Sequence, residues 1–65
     1  MINLRTLQKL QEYAEAVDRD QGLSQVDRIA ILSRCAMQAL ALVEQVAERD
    51  QGQALRILSE IESRG

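Results

Sequence analysis

The sequence predicts a mainly helical chain organised around one long central helix, and three observations carry that prediction. Proline is absent, and Ala, Leu, Gln, Glu and Arg dominate, which are the strong helix formers. The stretch from Ser24 to Asp50 contains no glycine or other strong breaker, with Gly22 just before it and Gly52 just after. Apolar residues recur along that stretch at three- and four-residue steps, the period of a helix with a buried face.

The central helix, 24–50, begins well. Ser24 is a good N-cap with Asp27 three residues on, and Leu23 sits where a hydrophobic staple would start. Its apolar residues form two seams. Val26, Ile29, Ala36, Leu40, Val43 and Ala47 make one, and Ile31, Cys35, Ala39, Leu42 and Val46 make the second. Asp27, Arg34, Gln38, Gln45 and Glu48, with Ala41 among them, leave only a narrow polar strip. A helix apolar on two sides needs cover on two sides. A helix of the same chain supplies one cover, and a second copy of the chain is expected to supply the other, through Ile31, Cys35, Ala39, Leu42 and Val46.

Size argues the same way. The 65 residues make one domain, 1–65, and below about 70–80 residues a single core seldom supplies more than about 3–5 kcal/mol. One cysteine allows no internal disulfide, histidine is absent, and Tyr13 is the only aromatic residue. Oligomerisation is the remaining source of burial, so a homodimer is expected.

The flanking elements are shorter. Residues 6–20 read as a helix with Leu7, Leu10, Tyr13, Ala14 and Val17 inward, ended by Gly22 in a positive-φ conformation. Residues 53–63 read as a short third helix with Ala54, Leu55, Ile57, Leu58 and Ile61 on its apolar face. The tetrapeptide RDQG occurs at Arg19–Gly22 and again at Arg49–Gly52, which suggests one helix-stop chemistry used twice. Residues 1–6 allow two readings: a strand with Ile2 and Leu4 on one side and Asn3 and Arg5 on the other, or the first turn of the helix that follows.

Catalysis is not expected. Without histidine the ordinary Ser/His and Cys/His nucleophile arrangements are excluded, and three glycines are too few for a phosphate loop. Cys35 lies on an apolar seam and reads as a small buried hydrophobe. No metal or other cofactor is implied. Eight basic against ten acidic residues give a net charge of −2, which argues against strong nonspecific attraction to nucleic acid. No apolar run approaches a membrane span and no apolar core follows a basic start, so the expected address is the cytoplasm.

The opening INLR, the amphipathic helix after it and the segment GLSQVDRI together resemble the ribbon-helix-helix family of dimeric repressors, over about residues 1–40. The resemblance implies a short N-terminal strand followed by helices in an intertwined homodimer, here with an extra C-terminal helix. It implies a two-stranded ribbon in the major groove, with Asn3 and Arg5 on base edges. It also implies phosphate contacts at the start of the second helix, through Ser24, Gln25 and Arg28. The function would be that of a small DNA-binding transcriptional regulator of repressor or antitoxin type, with 53–63 either docked on the chain's own core or, as the antitoxin arrangement implies, binding a protein partner. The residues also allow an all-α three-helix chain that dimerises through its long central helix. In that case MINLRT begins the first helix, Asn3 and Arg5 are surface residues, and the function is protein–protein interaction without nucleic acid, as in a small chaperone, adaptor or inhibitor.

Overall fold

The computed structural model describes residues 2–64. It contains three helices: α1 (Leu4–Arg19), α2 (Gln25–Val43) and α3 (Gln51–Arg64), the last entered through a 3₁₀ turn at Glu48–Asp50. Among the described residues there is no strand, only an isolated parallel bridge between Ile2 and Val46. The fold is therefore the all-α arrangement, and the N-terminal strand of a ribbon-helix-helix dimer is overturned. Met1, the first residue of that expected strand, lies outside the described residues.

The reason is local. Asn3 is the N-cap of α1: its backbone is extended and the Thr6 N–H donates to its Oδ1 at 3.3 Å. Asn at this position satisfies a helix amide that would otherwise lack a partner, and α1 therefore starts at Leu4, inside the expected strand. The Ile2 N–H donates to Gln45 O of the same chain at 3.1 Å, so its ladder capacity goes to the chain's own α2–α3 corner.

α1 ends at Arg19 without a left-handed glycine. Asp20 caps it in an extended conformation, the Asp20 N–H donates to Val17 O, and the Gly22 N–H donates to Asp20 Oδ1 at 2.7 Å. No described residue has positive φ, so the expected role of Gly22 is replaced by this aspartate turn. Ser24 then caps α2 as its sequence suggests, accepting the Asp27 N–H at 3.1 Å.

α2 stops at Val43 instead of running to Asp50. The chain turns through Glu44 and Gln45, and Val46 drops into the core. Gln51 holds the corner: its side-chain amide donates to Val43 O at 2.8 Å and to Val46 O at 3.0 Å. Length explains the break. A helix from 24 to 50 would be about 40 Å long at about 1.5 Å per residue, and two shorter helices could not cover its far end. The second RDQG accordingly lies at a helix start, not a stop, with Gly52 inside α3.

Each helix packs against the other two. The core is one aliphatic cluster: Leu7, Ala14 and Val17 from α1, Leu32, Cys35, Ala39 and Val43 from α2, Val46 from the corner, and Ala54, Ile57, Leu58 and Ile61 from α3. Side-chain ties cross from the last helix to the first. Gln11 donates to Glu60, and Arg64 bridges Asp18 at 3.0 Å and Glu15 at 3.5 Å. No described helix is long and apolar enough to cross a membrane.

Candidate functional site

The residues expected to read DNA do not form a reading surface. Asn3 spends its side-chain oxygen on the α1 cap, and Arg5 stands exposed in the first turn of α1, one helical turn from Lys9. Ser24 likewise spends its hydroxyl on the α2 cap, and Gln25 is exposed beside it. Arg28 points back toward the α1–α2 turn, where its Nη2 donates to Asp20 O and, at 3.4 Å, to Leu23 O, while its Nε is buried without a partner. A guanidinium committed to two carbonyls of its own chain is a turn clamp, and it is not free to meet a phosphate.

The five residues assigned to the dimer interface point inward. Cys35, Ala39 and Val46 are buried in the chain's own core, and Ile31 and Leu42 are half-buried against it. Burial raises the pKa of the Cys35 thiol, which keeps it in the weakly reactive neutral form. Among the described residues no three potential metal ligands gather into a site.

What remains open is part of the other seam, Val26, Ile29 and Leu40, joined by Met37, while Val43 of that seam is buried and Ala36 half-buried. Val26 is 76% exposed, Met37 72%, Leu40 53% and Ile29 47%. At about 100° per residue these four side chains fall on one stripe of α2, roughly a third of a turn from the face that carries Leu32, Cys35, Ala39 and Val43. Ser33 lies at the middle of the stripe, with Ala30 and Ala36 at its edges. Leu55, also exposed, stands on α3 four residues after Gln51. Since Gln51 bonds the carbonyls at the end of α2, that side of α3 flanks α2, and Leu55 widens the patch.

No family model, curated protein or solved structure matches the chain.

Five large apolar side chains at these exposures sum to roughly 500 Å², near the upper end of what a monomer ordinarily shows in one patch. A second, smaller feature lies on the opposite flank of α2. There a groove of about 490 Å³ runs between α1 and α2, lined by Thr6, Lys9, Leu10, Gln38, Ala41 and Leu42. Its lining is mainly apolar, with the stem of Lys9 beside Leu10, Ala41 and Leu42, and the Thr6 hydroxyl, the Gln38 amide and the Lys9 ammonium are its polar groups.

Sequence patterning found the two seams but not which of them the fold would use. Leu32, 1% exposed and among the best buried residues, belongs to neither seam as assigned, and Met37 was assigned to no face. The signal that would have found Met37 is its position four residues beyond Ser33 and three before Leu40, on the line from Val26.

Proposed function

We propose that this chain is an all-helical protein–protein interaction module, a binding protein and not an enzyme, whose working surface is the exposed stripe Val26–Ile29–Met37–Leu40 on α2. The observation that carries the reading is that stripe: a helix whose buried face is already satisfied presents a second, continuous apolar face to water. Hiding roughly 500 Å² is worth about 12 kcal/mol gross at about 25 cal/mol per Å². Association costs about 4–15 kcal/mol in lost freedom, so the stripe supports a reversible complex and not a permanent one. A homodimer is the simplest form of this reading, because a core of this size gains from any added burial.

Nothing in the surface favours nucleic acid. The net charge is −2, and the arginine nearest the α2 N-terminus is engaged within the chain. Duplex DNA at low salt is accordingly expected to show no retardation by the chain.

The test is site-specific. A photoreactive amino acid placed at Met37 in cells that make the chain should yield adducts of discrete mass, and the same group at Arg56, on the exposed polar side of α3, should yield none. Equal adduct patterns from the two positions would remove the stripe as a docking surface.

A further inference from the structure

We infer that the stripe is completed by a second copy of this chain, the two α2 helices crossing antiparallel about a two-fold axis at Ser33. This rests on the reading of the stripe as a docking surface and adds the identity and orientation of what docks.

The argument is the symmetry of the pattern. Val26 and Leu40 lie seven residues to either side of Ser33, Ile29 and Met37 four residues to either side, and Ala30 and Ala36 three. Around the helix, each such pair also falls on opposite sides of the line through Ser33, at about 100° per residue. A two-fold axis lying in the contact plane reverses position along the helix and preserves the side. It therefore sets the partner's Leu40 beside Val26 and the partner's Met37 beside Ile29, each large side chain entering the space its neighbour leaves. Ser33 meets the partner's Ser33 at the axis, where a small residue lets the backbones approach closely. A parallel pairing would instead set Met37 beside the partner's Met37 and Ile29 beside the partner's Ile29.

Area and size point to the same occupant. Two such patches bury roughly 1,000 Å² together, about the minimum for a specific interface. The contact is isologous, as closed dimers require: the same surface on both copies, complementary to itself. A dimer of this extent is expected to dissociate at about 1–100 µM.

Two measurements on the full chain test the inference. In sedimentation equilibrium the wild type should pass from monomer to dimer across that range. Met37→Glu, at a position 72% exposed and so without effect on the monomer core, should weaken association at least tenfold. For orientation, Ile29→Cys and Met37→Cys chains, each also carrying Cys35→Ala and each checked for helical circular dichroism, are mixed and oxidised. In an equimolar mixture the mixed disulfide should exceed the two self-disulfides combined, since random pairing alone makes it equal to their sum. An excess of self-disulfides would overturn the antiparallel arrangement. A wild type that stays monomeric to several hundred micromolar would overturn self-pairing altogether, and discrete adducts of Met37 with a different protein would then leave only the docking reading standing.

Discussion

Replacing Gln51 tests the feature that gives the chain its third helix. Its side-chain amide donates at 2.8 Å to Val43 O, which also accepts the Val46 N–H, and at 3.0 Å to Val46 O, beyond the end of α2. A hydrogen bond of this kind contributes about 0.5–1.5 kcal/mol net, so losing both costs about 1–3 kcal/mol. Alanine returns a few tenths of that through its helix propensity. Gln51→Ala should therefore lower stability by about 1–2.5 kcal/mol, and Tm by roughly 5–20 °C in a domain this small. Gln51→Glu keeps the length but turns a donor toward two carbonyl oxygens, and should cost more. Its carboxyl can donate only when protonated, so the fold raises its pKa above that in the unfolded chain. The variant is then closest to wild type at low pH and loses stability as pH rises through that raised value. Thermal unfolding by far-ultraviolet circular dichroism at each pH, with the wild type as reference, reads both effects. Amide exchange should also speed up at Gln45 and Val46, whose N–H groups bond Leu42 O and Val43 O. If both variants melt within about 0.3 kcal/mol of wild type, the corner does not depend on this side chain.

Two further substitutions probe the helices. Gly52 lies inside α3 with no heavy atom within 4 Å of where a Cβ would stand, so Gly52→Ala should stabilise by about 0.5–1 kcal/mol, seen as a Tm higher by several degrees. Cys35 should react with a thiol reagent on the order of 100-fold more slowly in the native chain than in denaturant. Because burial raises its pKa, its contribution to stability is complete below the ordinary thiol value and is lost as pH rises toward the raised one. Cys35→Ala should lack that alkaline decline.

Much of the helical content could be read from residue types. Ser24 caps α2 because its hydroxyl is matched to the Asp27 amide, a pairing visible at three-residue spacing. Of the five residues expected on the apolar face of α3, Ala54, Ile57, Leu58 and Ile61 are buried and Leu55 is exposed. Asn3 shows why the N-terminus could not be read. A short polar residue between two aliphatic ones fits a strand alternation and a helix cap equally, and the choice is made by a distant carbonyl, Gln45 O, that takes the Ile2 amide. The end of α2 escaped for a similar reason: no residue from Val43 to Asp50 is glycine or proline, and Gln51 and the buried Val46 hold the turn that replaces a longer helix. The dimer seam failed differently. Both apolar seams of α2 have the right period, and the face that packs inward draws on both, Cys35 and Ala39 from one and Val43 from the other, together with Leu32 from neither. Val26, Ile29, Met37 and Leu40 stay on the surface.

Tyr13, expected inward, stands more than half exposed, so a core made only of aliphatic side chains, one alanine from each helix and a thiol contains no ring at all. Such an interior is optically silent. Melting it should leave tyrosine emission and near-ultraviolet dichroism almost unchanged while the amide signal collapses, and the phenol at Tyr13 is free to report events at the surface of α1 independently of whether the interior is intact.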